Sequence, residues 1–331
     1  MNQPASPASP LRYLSAADVD ACLPSVSERI DLAARALVAL SRGTAEMPPK
    51  IGVHPRAGTL LHAMPAWLRD GDVVGLKWVA AFPQNKSRGL AAINGLVVLN
   101  DPDTGLPTWI MDAARITAVR TAAVSGVAIR LFAAGVRQVA ILGAGVQARS
   151  HLEVLAAELP EARATIYDRH AERARAVADE ANELGGREWL TVAGDAREAV
   201  GRAELVVTVA TLGSSRQVLT PDWLREGTVV VAVDFATYAS AQLAAAAGVF
   251  AVDDREQFLF YRESGYFDDF PEPTTTLGQL LEQAPSAPEG QPDQGRPTLV
   301  THLGVGLADV VLADAIQREA EAKGVGLALE R

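Results

Sequence analysis

The chain has 331 residues, 49% of them apolar and 21% charged, with a formal net charge of −10. That length suits two domains better than one core. The acidic balance excludes the basic footprint of a nucleic-acid binder or of a protein adhering to anionic lipid, but not a small anionic substrate held by a few local cations.

Residues 1–10, MNQPASPASP, lack the basic and apolar regions of a signal peptide and read as a short disordered tail. No uncharged apolar run approaches the roughly 20 residues needed to span a bilayer. Cys22 is the single cysteine, so an internal disulfide and a cysteine metal cluster are both excluded, and a soluble cytoplasmic protein is expected. Residues 15–43 open on a capping-type serine and carry apolar residues at helical spacing, which predicts one or two helices. Residues 50–112 alternate apolar segments with turns, including an Asp-Pro/Thr-Gly turn, and predict a mostly antiparallel sheet. Residues 113–135 predict a long helix closed by Gly135. From Arg137 onward strand patterns (QVAILG, RATIYD, WLTVAG, ELVVTVA, GTVVVAVD, GVFAVD) alternate with Ala-, Glu- and Arg-rich helical segments, which implies a doubly wound parallel sheet. Residues 253–273 fit either a pocket wall or a surface insertion. Residues 283–297, rich in Pro, Gly and Gln, predict a surface loop, and 304–324 a closing amphipathic helix.

The segment VAILGAGVQARSH, 139–151, places Gly143, Gly145 and Ala148 in a G-x-G-x-x-A pattern between a strand and a helix. Glycines there allow a tight turn and close backbone approach, so that amides and the positive helix end meet a pyrophosphate. The next strand ends in Asp168, at the spacing of an acid that binds both ribose hydroxyls and repels a 2′-phosphate. The expected coenzyme is therefore NAD, with NADP left open by the adjacent Arg169. The expected coenzyme contacts are Gly143, Ala144, Gly145, Val146, Gln147, Ala148, Asp168 and Arg169. Thr121, and Thr208, Ala210 and Thr211 at the small-residue end of 204–215, complete the set.

Hydride chemistry on an amino or imino acid needs cations for the carboxylate, a proton donor or acceptor at nitrogen, and a dry pocket. Lys50, Lys77 and Arg120 are the candidate cations outside the nucleotide pattern. Lys77 lies in the apolar stretch VVGLKWVAAF, either as a snorkelling edge residue or as a pocket cation. Arg120 is either a substrate ligand or half of a helix-surface salt bridge. Asp234, closing a very apolar strand, is either an acid/base with a perturbed pKa or a helix N-cap. His62 reads as a core or pocket histidine, and His151 and His170 as surface residues. The five histidines show no metal spacing, and no metal is expected.

The ordered segments GLKWV, DAARITAVRTAAVSGVA, VAILGAGVQARSH, VVVAVDF and LGVGLADVVLADA resemble the ornithine cyclodeaminase/mu-crystallin family from about residue 45 to the carboxyl end. The resemblance implies an α/β fold: a Rossmann-type doubly wound parallel sheet at 126–303, inserted in a discontinuous α+β substrate and dimerisation domain of 1–125 and 304–331. It implies a homodimer. It also implies that Arg120 of the R-T-A-A motif binds the substrate carboxylate, that Lys77 is the pocket lysine, and that Asp234 is the catalytic aspartate. Three positions depart from the cyclodeaminase branch: Lys50 stands where Pro-Arg is usual, His62 where a glutamate is usual, and Tyr238 where a lysine is usual. The expected activity is accordingly an NAD(P)-dependent reductase or dehydrogenase at the C–N bond of a small α-imino or α-amino acid. In it Lys77 and Asp234 are catalytic, Arg120, Lys50 and His62 lie at the substrate, and Tyr238 walls the pocket. The alternatives are a cyclodeaminase that releases ammonia, and a dinucleotide-dependent ligand-binding protein of the mu-crystallin type.

Overall fold

The computed structural model describes residues 10–211, 216–283 and 295–330. The tail before Pro10, the Leu212–Ser215 end of the 204–215 segment and most of the 283–297 loop lie outside the described residues. The chain divides into one unit of residues 1–25, 43–117 and 306–331, and another of 26–42 and 118–305. Relative to the boundaries read from sequence, 26–42, 118–125 and 304–305 fall with the second unit. Among the described residues no helix is long and apolar enough to cross a membrane.

The first unit holds helix α1 (Ala16–Ala21) and strands β1 (Leu11–Leu14), β2 (Ala45–Glu46), β3 (Ile51–Val53), β4 (Leu60–Leu68), β5 (Val73–Ala81), β6 (Ile93–Asn100) and β7 (Pro107–Asp112). The expected antiparallel core is present. β4 and β5 pair along their whole length from Leu60↔Ala81 to Leu68↔Val73, around a turn in which Gly71 and Asp72 take positive φ. β1 begins directly after the proline-rich tail and adds in parallel to β7, and the short strand Leu327–Leu329 closes that edge. Strand alternation sorts the two faces. Met64, Lys77, Val97 and Met111 form one buried row across β4–β7. Ile51, Trp78 and Leu96, out of phase with that row, remain exposed. The C-terminal helix (Gly306–Lys323) packs on β4 and β5; a side chain at Gly306 would come within 3.0 Å of the Met64 carbonyl oxygen. Its first two turns, Gly306–Ala313, are buried throughout, so the amphipathic character expected of it is confined to its second half.

The second unit contains α2 (Val26–Ser41) and all but the first turn of α3 (Ala113–Phe132). The alternating region follows: β8 (Gln138–Leu142), α4 (Val146–Glu158), β9 (Arg163–Tyr167), α5 (Ala171–Gly185), β10 (Leu190–Val192), α6 (Ala196–Val200) and β11 (Leu205–Thr208). It continues with β12 (Val229–Ala232), α7 (Ala241–Ala246), β13 (Val249–Val252), α8 (Arg255–Glu263), β14 (Thr275–Thr276), α9 (Leu277–Gln283) and β15 (Thr298–Thr301). The sheet is parallel throughout, in the order β10-β9-β8-β11-β12-β15-β13-β14. The chain leaves β8 towards β9 and β10 on one side and returns on the other side at β11, so the topological switch lies between β8 and β11, where open α/β sheets take their ligands. β15 carries only Leu299 and Val300 as apolar residues, yet it is fully buried between β12 and β13. Segment 253–273 is anchored in the core by aromatic side chains, while Arg255, Glu256, Glu263, Asp268, Asp269 and Glu272 stay exposed. Phe258, Tyr261, Phe267 and Phe270 are buried, with Phe258 and Phe270 against Phe250 and Tyr261 and Phe267 against Phe235.

Candidate active site

At the carboxyl end of β8 the chain turns through Gly143 and Gly145 into α4. Gly143 takes φ +119°, and a Cβ there would lie 2.7 Å from the Val209 carbonyl oxygen and 2.9 Å from the Ala210 nitrogen. The turn thus packs directly on the end of β11, which only glycine permits. Gly145 is different: it is extended, and a Cβ there would meet nothing within 4 Å. It caps α4 without a side-chain hydrogen bond, which leaves the first-turn amides of a 13-residue helix open in front of it. Gln147 Oε1 beside them is buried with no hydrogen-bond partner among the described residues. Asp168, after β9, accepts from the Ala144 amide with Oδ2 (2.9 Å) and from the His170 amide with Oδ1 (2.9 Å), which ties the acid to the glycine turn. Arg169 beside it is exposed, and Val146 is 68% exposed at the helix start. Ala144 and Ala148 are buried in the turn's packing. These features fit a dinucleotide: residues 143–148 would hold the pyrophosphate and Asp168 the adenosine ribose.

Asp234 lies two residues past β12, on the strand next to β11, and is fully buried. Its Oδ1 accepts from Thr208 Oγ1 (2.8 Å) and its Oδ2 from the Ala210 amide (3.1 Å). No helix starts there, so it is not an N-cap. Burial lifts its pKa to about 6 against the opposing hydrogen bonds from Thr208, Ala210 and the Tyr238 backbone. Thr208, one of the expected coenzyme contacts, donates its hydroxyl to Asp234. Ala210 is half-buried and Thr211 exposed at the same edge. Tyr238 is half-buried, and burial pushes its phenol up to about 12.

Arg120 and Thr121 are both buried in α3, so Arg120 is not a surface salt-bridge residue. The Arg120 guanidinium lies against Gly304, at φ +86°; a Cβ on Gly304 would fall 2.7 Å from Nη2 and 2.8 Å from Cζ. His151, read from sequence as a surface residue, is 1% exposed and hydrogen-bonded to Ser125, because α4 turns that face inward. His170 is partly exposed, as expected.

In the first unit Lys77 occupies the middle of the interior strand β5 with no exposed surface, which rules out snorkelling. Its Nζ lies 2.8 Å from both Oδ1 and Oδ2 of Asp309 in the C-terminal helix, which is equally buried. A buried ammonium in an apolar sheet requires such a counter-ion. Lys50, just before β3, is also buried. His62 of β4 pairs with Gly52 of β3, and a Cβ at Gly52 would collide with the imidazole, so the bare glycine makes room for the ring. Burial, assisted by the charges of Lys50, His54 and Lys77, lowers the His62 pKa to about 4 and keeps the ring neutral near pH 7. Sequence reasoning missed Asp309 and the bare surface of Gly304. The available signals were an acid within the otherwise apolar GVGLADVVLA and the glycine pair flanking Val305.

A glycine turn at the switch point of a parallel sheet, an acid ending the next strand and a buried carboxylate with a raised pKa define a class, the Rossmann-type dinucleotide-dependent oxidoreductases. Comparison with known proteins narrows it. The chain belongs to the ornithine cyclodeaminase/mu-crystallin family, whose model matches residues 12–324. It is 35% identical over 318 residues to the nodulation efficiency protein NfeD of Rhizobium meliloti, covering 96% of this chain and 98% of that protein. It superimposes on the Thermococcus litoralis Delta(1)-pyrroline-2-carboxylate reductase, solved with NADH and L-proline, with a TM-score of 0.86 and 26% identity, over 96% of this chain and 100% of that one. It also superimposes on an archaeal alanine dehydrogenase dimer with bound NAD, with a TM-score of 0.84 and 27% identity over 97% and 99% of the two chains.

Proposed function

We propose that the protein is an NAD-dependent reductase or dehydrogenase acting at the C–N bond of a small α-imino or α-amino acid, a cyclic ketimine such as pyrroline-2-carboxylate being the first substrate to test. The observation that carries the reading is Asp234: a fully buried carboxylate at the sheet edge, bonded to the end of the strand on which the glycine turn packs. A nicotinamide coenzyme held by the 143–148 turn would supply the donor or acceptor of a hydride for the substrate Cα. A pKa near 6 lets Asp234 supply a proton to the substrate nitrogen or remove one near neutral pH. Arg120 binds the carboxylate through its planar guanidinium. Lys77 contributes a cation whose charged state is held by Asp309, and Lys50 a second. His62, a neutral imidazole, supplies hydrogen bonding without charge, and Tyr238 gives an aromatic wall. The ring in place of a carboxylate at His62 and the phenol in place of an amine at Tyr238 support reduction over ammonia-releasing cyclisation. The exposed apolar side chains of Ile51, Trp78 and Leu96 support a homodimer formed through that face of the first unit, and the lone, buried Cys22 fits a cytoplasmic setting.

The test follows NADH and NADPH absorbance with purified protein and pyrroline-2-carboxylate, then pyruvate with ammonia or methylamine. Net loss of reduced coenzyme, faster with NADH, is the expected result. A flat trace across a broad panel of imines, or ammonia release from ornithine or lysine without net coenzyme change, would overturn the reading.

A further inference from the structure

Helix α3 carries Arg120 and, five residues on, Ser125. Ser125 Oγ lies 2.8 Å from Nε2 of His151 in α4 and 2.8 Å from Nε2 of His302, which follows β15. All three residues are at most 1% exposed, and the serine hydroxyl is engaged by both rings. The direction of each bond follows from proton inventory. His151 Nδ1 lies 2.7 Å from the Gln147 carbonyl oxygen, an acceptor only, so Nδ1 carries the hydrogen. Burial lowers the His151 pKa to about 4, so the ring is neutral and its Nε2 accepts. Ser125 has one hydrogen and gives it to His151, so the bond from His302 must be Nε2–H donating to Ser125 Oγ. The chain runs one way, from His302 through Ser125 and His151 to the carbonyl of Gln147 in the first turn of α4.

Two residues beyond His302 is Gly304, the surface on which the Arg120 guanidinium lies. The Gly304 amide donates to Asp253 Oδ2 (2.6 Å), and its carbonyl accepts from Gln257 Nε2 (3.3 Å); both side chains are buried. The 302–304 turn is therefore fixed at one end by α3 and α4 and at the other by the start of α8. A buried hydrogen-bond network of this kind favours one arrangement of the groups it joins.

We propose that the His302–Ser125–His151 chain is a brace that fixes the Gly304 seat and thereby sets the guanidinium plane of Arg120 for a substrate carboxylate. Ser125, His151, His302 and Gly304 are on this account positioning residues for carboxylate recognition, acting through Arg120. The inference rests on Arg120 being the carboxylate's partner.

The test compares kcat/KM for pyrroline-2-carboxylate with that for its carboxamide, alongside NADH affinity and thermal unfolding, in the full-length protein. Ser125→Ala is expected to cut the carboxylate-to-carboxamide preference about tenfold or more, through KM for the carboxylate, with NADH affinity held within about threefold. His302→Gln, whose amide nitrogen can replace Nε2–H, keeps the preference, whereas His302→Leu loses it. A purely structural role would lower the unfolding temperature and leave the preference of the folded protein unchanged. If Ser125→Ala does not fold, the two His302 variants decide. Arg120→Ala separates the two layers of argument. If that variant keeps the preference, the carboxylate assignment of Arg120 is wrong. If it loses the preference while folded Ser125→Ala and His302→Leu retain it, the brace is refuted.

Discussion

The two glycines of the turn make opposite predictions for the same small change, a single methyl group. At Gly143 the methyl would need φ +119° and would press on backbone atoms at 2.7 to 2.9 Å, the Val209 carbonyl group and the Ala210 nitrogen. Strained φ costs about 1–3 kcal/mol and overpacking a similar amount, so Gly143→Ala is expected to destabilise the fold by about 2–6 kcal/mol. Because the displaced Ala210 amide is the one that donates to Asp234 Oδ2, turnover should fall as well. At Gly145 the backbone is extended and the methyl would enter open space. Stability should then stay within about 0.5 kcal/mol of wild type. That open space is where a pyrophosphate must approach the α4 amides, so NADH affinity should drop about tenfold or more. Urea unfolding and NADH fluorescence titration measure the two effects separately. A Gly145→Ala protein with wild-type stability and wild-type NADH affinity would refute the placement of the pyrophosphate.

Three further outcomes are expected. Lys77→Met strands Asp309 as a buried unpaired acid and should cost about 3–5 kcal/mol, most of it recovered in Lys77→Met/Asp309→Leu; urea unfolding of both variants checks this, and equal stability of the two would contradict it. Asp168→Ser removes the charge that repels a 2′-phosphate and should raise the NADPH-to-NADH ratio of kcat/KM about tenfold; an unchanged ratio would place coenzyme selection elsewhere. The pKa of His151 falls from 6.5 unfolded to about 4 folded. The unfolded chain thus binds the extra proton in that window, and stability is lost as pH falls from 6.5 towards 4. Asp234, raised to about 6, acts in the opposite direction, losing stability as pH rises towards 6. The difference between wild type and His151→Gln isolates the histidine: the wild-type advantage should shrink by about 3 kcal/mol between pH 7 and pH 4. Parallel pH profiles would show that His151 has no such linkage.

The parts of the molecule that were legible in the sequence are those whose signal is local. Strand period, the glycine spacing and an acid at the end of the following strand lie within thirty residues of one another and sufficed for the parallel sheet and its coenzyme turn. β15 was missed because two apolar residues between threonines carry no period, and its burial comes from the neighbouring strands. Lys77 could be read as an anomaly but not resolved, since Asp309 stands 232 residues further along the chain. His151 was misread for the same reason: its partner Ser125 belongs to the preceding helix, and nothing in its own helix marks that face as buried. Thr208 showed a hydroxyl at the right strand end, but only the pairing of β11 with β12 reveals that it serves Asp234.

Hydride transfer between nicotinamide C4 and the substrate Cα, with proton transfer through Asp234, is open to isotope labelling. NADH deuterated at C4 on each face in turn is turned over with pyrroline-2-carboxylate, and the product is examined by mass spectrometry for wild type and Asp234→Asn. Deuterium is expected at Cα of the amino-acid product from one face only, with Asp234→Asn binding NADH normally but turning over about a hundredfold more slowly. Product without deuterium from either face, or an Asp234→Asn protein as fast as wild type, would contradict it.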